Sequence, residues 1–190
     1  DLDPGPRIGW GQLVVAPRSV IPNWLAEAAR FAPALRVVAH VGTSRVRTDG
    51  AFMDCDVVIT TYQTMVRDIA LLERVRFGYA ILDEAQAIKN PASARAKAAR
   101  RLKASHRLAL TGTPVENHLG DLWSLLQFLN PGMLGSASVF AAAVAGDEAG
   151  ARAALTRALR PLMLRRTKRQ VAPDLPDREE HTLYCDLEGR

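Results

Sequence analysis

The feature that most constrains this chain is an alternation that stops. As far as residue 111, short runs rich in Val, Ile and Leu alternate with longer amphipathic stretches: Leu13–Ala16, Arg36–His40, Val57–Thr60, Ala80–Asp83 and Arg107–Thr111 read as strands. Strands that are apolar on both faces belong in a parallel sheet with helices on each side, so the pattern predicts βα units and an α/β fold. Ser19 is expected to cap a helix to about Phe31, with Pro22 in its first turn and Trp24, Leu25 and Ala28 on its apolar face. A second helix is expected from about Ala92 to Leu102. Beyond Pro114 only helical spacing remains: Leu119 to Leu129, stopped by Asn130-Pro131-Gly132, then an Ala-dominated stretch over 136–159 and a helix into Arg160. That stretch is consistent with a short helical hairpin or with partial mobility.

A length of 190 residues with 48% hydrophobic composition suits one domain with a substantial core and excludes a disordered chain. No run of about 18 apolar residues is present, and the acidic, Pro-rich start lacks the regions of a signal peptide, so no membrane partner is expected. The expected location is the cytoplasm, with association to the nucleoid if the source is bacterial. Cys55 and Cys185 stand far apart without metal-ligand spacing, and two reduced thiols are expected rather than a disulfide. Basic residues number 25 against 20 acidic, a net charge of +5. Only Lys89, Lys97, Lys103 and Lys168 among them are lysines. Two clusters carry no acid at all: Arg95, Lys97, Arg100, Arg101, Lys103 and Arg107, then Arg160, Arg165, Arg166, Lys168 and Arg169. Such clusters suit a phosphate backbone, although on a helix they equally form a solvated outer face.

The chemistry gathers at strand ends. Phe77-Gly-Tyr-Ala-Ile-Leu-Asp-Glu-Ala-Gln86 is a buried strand running into two adjacent carboxylates. Phosphate hydrolysis needs one acid to hold Mg²⁺ through water and another to orient the attacking water, both at the carboxyl end of a strand. Taken alone, this is equally a strand entering a helix whose first turn is acidic. The neighbouring runs strengthen the case. Leu108-Ala-Leu-Thr-Gly-Thr-Pro114 ends in hydroxyls at the same sheet edge, and Val14-Val-Ala-Pro-Arg-Ser19 and Val58-Ile-Thr-Thr-Tyr62 repeat the design. Ser19 and Thr61 also fall near helix N-termini, where anions are favoured.

Six segments occur in order: APRSVIPNW (16–24), VVITTYQTM (57–65), DEAQAIKN (83–90), LTGTPVEN (110–117), LGDLWSLLQFLNPGMLG (119–135) and LRRTKRQVAPDLP (164–176). Together they resemble the first motor lobe of a Swi/Snf-type DNA translocase of helicase superfamily 2. The resemblance implies a RecA-like P-loop NTPase lobe, a mostly parallel sheet flanked by helices with a C-terminal helical protrusion. It implies an incomplete ATP-binding lobe over 1–135, the protrusion over 136–172, and over 173–190 the start of a linker to a second lobe. The implied cofactors are ATP and Mg²⁺. Asp83 would hold the metal through water beside the nucleotide, Glu84 would activate the attacking water, and Gln86 would connect the nucleotide site to Thr111, Gly112 and Thr113, which couple hydrolysis to lobe movement. Pro17, Arg18, Ser19, Thr60, Thr61 and Tyr62 would contact the tracked DNA strand, and Arg165, Arg166 and Lys168 would contact DNA or brace the lobes. The implied partners are double-stranded DNA, a second RecA-like lobe in the same parent chain, and a protein–DNA complex such as a stalled polymerase. Trp123 and Leu126 are expected in the core; Asn117 occupies a family signature position without an evident role.

One element of such a motor is missing from the sequence. A glycine-rich loop G-x-x-x-x-G-K-[ST] should precede the first strand, but Gly5-Pro-Arg-Ile-Gly-Trp-Gly11 contains no lysine. The chain also starts at Asp, so a fragment of a larger DNA-dependent ATPase is expected, inactive on its own. The alternative is a non-catalytic nucleic-acid or protein-interaction module that kept a degenerate RecA-like fold; retention of both Asp83 and Glu84 favours the motor.

Overall fold

The computed structural model describes residues 11–48, 50, 52, 54–112 and 119–146, and then 150, 153, 157, 159–164, 166 and 168–171. The chain divides into two compact units, Asp1–Glu148 and Ala149–Arg190. The first holds strands β1 (Gln12–Ala16), β2 (Val37–His40), β3 (Val57–Thr61), β4 (Arg76–Leu82) and β5 (Lys103–Ala109). They form one sheet in the order β2-β3-β1-β4-β5, and every neighbouring pair is parallel. Parallel pairing sends all five carboxyl ends to one edge, which brings together side chains that are nearly a hundred positions apart in sequence.

Helices α1 (Ile21–Phe31), α2 (Tyr62–Arg67), α3 (Ile69–Leu72), α4 (Ala94–Arg101), α5 (Leu119–Leu129) and α6 (Ala137–Gly146) complete this unit among the described residues. The larger core joins Leu13, Val15, Val58, Ala80 and Leu82 of the strands to Met65, Leu72, Ala96, Ala99 and Phe128 of the helices. On the opposite face Val14, Ala16, Ile21 and Ile59 are buried with Trp24 and Leu25 of α1 packed on them. Residues 13–16 are at most 2% exposed, so β1 is the strand buried from both sides. Trp123 and Leu126 are buried as expected, at 9% and 3%.

Local structure departs from the sequence expectation at several points; the fifth strand, expected over Arg107–Thr111, runs from Lys103 to Ala109. Ser19 does not cap α1: it lies in a 3-10 turn over Arg18–Val20, and α1 begins at Ile21 without a side-chain cap. Were Ser19 the cap, its hydroxyl would face the third helical position, where Pro22 has no N–H to donate. Polar Gln63, Thr64 and Arg67 mask an apolar face in the stretch after Thr61, which nevertheless folds as α2 and α3 with Tyr62, Met65, Ile69 and Leu72 buried. Thr61 supplies the missing start signal, its Oγ1 accepting the Thr64 N–H at 3.1 Å. Further along, α4 starts at Ala94, with Ser93 Oγ accepting from the Ala96 N–H at 3.2 Å. The second unit contains a 3-10 turn at Arg160–Leu162 and a short helix α7 (Lys168–Val171) among its described residues.

Candidate functional site

β4 ends at Leu82, and Asp83 is the first residue beyond it. Its N–H continues the β1 ladder by donating to Val15 O at 2.8 Å, which fixes where the carboxylate stands. Asp83 Oδ2 accepts from Trp24 Nε1 at 2.8 Å, and Oδ1 accepts from the Glu84 N–H at 2.9 Å. Each oxygen keeps a second lone pair. Trp24 was expected only as apolar packing. The signal available was its indole N–H, which needs an acceptor once the ring is half-buried, on the helix that follows the strand beside β4.

Glu84 adopts φ 50° and ψ 53°, the left-handed region, and among the described residues it is the one non-glycine with positive φ. That conformation costs about 1–2 kcal/mol for an L-residue and survives only where the surroundings impose it. The surroundings here are explicit. The buried Tyr62 hydroxyl donates to Asp83 O at 2.8 Å, the Ala85 N–H to Leu110 O at 2.9 Å, and the Ala87 N–H to Glu84 O at 3.0 Å. Burial and the two nearby carboxylates push the Tyr62 phenol far above its ordinary value, so it remains a donor at any physiological pH.

The strained turn aims Glu84 at Gln86. Gln86 Nε2 donates to Glu84 Oε2 at 2.5 Å, and Gln86 Oε1 accepts from Thr111 Oγ1 at 2.8 Å. A carboxylate can only accept, so the amide nitrogen must face Glu84 and the amide oxygen must face the threonine hydroxyl. A continuous hydrogen-bonded series therefore runs from the β4 turn to the end of β5. Gly112 is exposed beside it with open space where a side chain would project, and Thr113 lies outside the described residues.

The same edge opens into a cleft of about 340 Å³ beyond β1, β2 and β3, lined by Arg18, Pro22, Gly42, Thr43, Thr61 and Gln63 together with Ile21, Val41, Thr64 and Arg67. No acid is among these residues. Arg18 and Ser19 are exposed, Pro17 is half-buried, and Arg67 is exposed on α2. Two residues expected to touch DNA do not present their side chains. Thr60 is fully buried and donates to His40 O at 2.8 Å, and Tyr62 is 4% exposed with its hydroxyl on Asp83 O. From this run Thr61, half-buried, and Gln63, exposed, line the cleft instead. Arg166 is exposed in the second unit, Lys168 begins α7, and Arg165 lies outside the described residues.

The first basic cluster divides. Arg100 donates to Pro91 O at 3.0 Å, Arg101 forms a two-pronged pair with Glu73 at 2.8 Å, and Arg107 reaches Phe128 O at 2.6 Å and Leu102 O at 2.8 Å. These three hold helix ends and loops; Arg95, Lys97 and Lys103 form the exposed remainder.

Known proteins match this arrangement. Residues 5–190 match the family model described as the SNF2-related domain. The chain is 38% identical over 193 residues to the TATA-binding protein-associated factor MOT1 of Saccharomyces cerevisiae, covering 92% of this chain and 10% of that protein. It is 37% identical over 205 residues to the chromatin-remodeling ATPase INO80 of Candida albicans, covering 95% of this chain and 15% of that protein. The SWI2/SNF2 ATPase core of Sulfolobus solfataricus in complex with dsDNA superposes with a TM-score of 0.77 at 41% identity, over 88% of this chain and 36% of that one. The chain thus spans roughly a tenth to a seventh of the length of these curated relatives. Among the described residues no helix is long and apolar enough to cross a membrane. With the parallel sheet, the carboxylate turn and the six ordered segments all present, this chain belongs to the SNF2-related domain family and has the RecA-like fold of the SWI2/SNF2 ATPase core.

Proposed function

We propose that this chain forms most of the first motor lobe of an ATP-driven translocase on double-stranded DNA, coupling ATP hydrolysis to movement along the duplex. The observation that carries the proposal is the unbroken series Glu84–Gln86–Thr111 beside Asp83, set on the same sheet edge as an acid-free basic cleft. Asp83 suits Mg²⁺: a carboxylate with a lone pair left on each oxygen, oriented by Trp24, matches a cation that takes few protein ligands and keeps its waters. When bound, that ion would neutralise phosphate charge. Glu84, fixed in its left-handed turn, would take the proton of the attacking water. Gln86 and Thr111 would carry the state of the site toward Gly112 and Thr113, and so to a second RecA-like lobe in the same parent chain. Pro17, Arg18, Ser19 and Thr61 would meet the duplex backbone, with Arg165, Arg166 and Lys168 as a further contact. The translocase would act where the DNA is, at the nucleoid if the source is bacterial, on bare duplex or on a complex such as a stalled polymerase.

The test is an ATPase assay of a full-length protein carrying this chain, with single-stranded and with double-stranded DNA. Stimulation by duplex well above single strand is expected, with no turnover above background from residues 1–190 alone. Equal rates with both DNAs and with none would reject the translocase reading.

A further inference from the structure

Beneath the cleft lies a buried ionic cluster that none of the proposed roles uses. Asp68, the residue joining α2 to α3, has a side chain only 7% exposed. Its position at the start of α3 would suit a helix cap, yet its carboxylate makes no cap hydrogen bond. It turns instead toward the loop that follows β2. Arg45 Nε donates to Asp68 Oδ2 at 2.5 Å and Nη2 to Oδ1 at 2.8 Å, the two-pronged geometry that only a guanidinium gives. The third arm, Nη1, donates to Gly42 O. His40 Nε2 meets Asp68 Oδ2 at 2.9 Å from the end of β2, and Arg47 Nε stands 3.8 Å from Oδ1. Arg45 is as buried as its partner, with a side chain 3% exposed.

This is a costly way to hold a surface loop. Two charges leave water, and such a pair gains little net stability over apolar packing of the same volume. What it supplies is geometry. Gly42 has φ 78°, a turn open to glycine, and the guanidinium fastened to its carbonyl holds the turn closed. Val41, Gly42 and Thr43 line the cleft together with Arg18, Thr61 and Gln63.

We propose that Asp68 is a positioning residue which, acting through Arg45, locks residues 42–47 as the third wall of the DNA-binding cleft. Gly42 and Thr43 then offer backbone and hydroxyl groups to a phosphate already held by Arg18, and the exposed Arg47 extends the basic rim. The inference rests on the DNA reading of that cleft. It adds that the wall is built in advance, so that a sequence-independent backbone meets a preformed surface rather than ordering a loop on arrival.

The experiment uses residues 1–190 with a short fluorescent duplex, anisotropy for affinity, a thermal melt for stability and amide hydrogen exchange for the loop. Arg45→Lys keeps the charge but loses the fork and the arm to Gly42. It should weaken duplex binding about fivefold, the size of one misplaced phosphate contact, speed exchange at 42–47 and leave the melting midpoint nearly unchanged. Wild-type affinity despite faster loop exchange would overturn the proposal. If Arg45→Lys does not fold, the wild-type chain decides: protection of the 42–47 amides by duplex supports the wall, and unchanged exchange there rejects it. Arg18→Ala separates the two levels. Weaker binding in Arg18→Ala with none in Arg45→Lys rejects the positioning role alone, whereas no binding by the wild-type chain rejects the DNA reading and the wall with it.

Discussion

Two stretches of the same sheet edge are built on opposite plans. At the ends of β4 and β5, Asp83, Glu84, Gln86 and Thr111 are bonded to one another or to Trp24, and the backbone beneath Glu84 is held in a strained turn. Beyond β1 and β3 the cleft residues Arg18, Gln63 and Arg67 are exposed, and the tightly bonded polar groups, Asp68, Arg45 and His40, are buried. The difference follows from what each would meet under the proposed function. Hydrolysis requires a carboxylate oxygen placed to a fraction of an ångström, which favours a short, rigid series of bonds. A DNA backbone presents the same charge at every step, so its partners need reach and exposure on a fixed frame.

The largest expected effect breaks the first plan and spares the second. Glu84→Gln, in a full-length protein carrying this chain, removes the proposed proton acceptor without changing shape. DNA-stimulated phosphate release should fall by about 10²–10⁴-fold, the range for a general base, while ATP and duplex binding persist. Turnover at the wild-type rate would mean that Glu84 holds structure rather than activating water.

Next in size is the buried cluster. The Arg45 guanidinium, then His40, hold the Asp68 carboxyl below the ordinary carboxylate range, against the opposing effect of burial. A folded value below the unfolded one contributes stability that is complete above the ordinary range and lost as pH falls through the depressed value. Asp68→Asn strands a buried guanidinium and should cost about 3 kcal/mol at neutral pH. Denaturant melts of the two chains should converge as the medium is acidified toward the folded Asp68 value. A gap that stays constant with pH would show that the carboxylate charge is not what Arg45 requires.

These two plans were unequally legible in the sequence. The strands announce themselves because β1, β3 and β4 are continuous apolar runs, and the carboxylate turn was visible because Asp83 and Glu84 follow such a run directly. The hydrogen bonds Gln86–Thr111 and Trp24–Asp83 join residues 25 and 59 positions apart, and only the parallel register of β1, β4 and β5 sets those pairs side by side. The cleft was harder to read. Thr60 and Tyr62 look like exposed hydroxyls in a polar Thr-Thr-Tyr-Gln run, yet β3 lies between two strands and is covered on both faces, which buries Thr60, and the first turn of α2 does the same to Tyr62. Asp68 carried no signal at all, because its partner sits 23 residues upstream in a loop without periodicity.

The smallest effect compares two exposed arginines whose removal changes net charge equally. Arg18 lines the cleft; Arg101 stands at the end of α4 with both its Nε and Nη2 on Glu73, a pair that raises its own affinity for the proton and lowers that of the glutamate. If the basic excess acted as a diffuse field, Arg18→Ala and Arg101→Ala would weaken duplex binding alike. The geometry separates them: Arg18→Ala should lower affinity several-fold and reduce the slope of log affinity against log salt by about one, as expected for a single lost phosphate contact. Arg101→Ala should leave both close to wild type, since its guanidinium is already neutralised by Glu73 and lies on a helix that does not line the cleft. Salt titrations of the two variants side by side measure the distinction, and matching slopes would mean that DNA is held by the overall charge of the lobe rather than by the edge of the sheet.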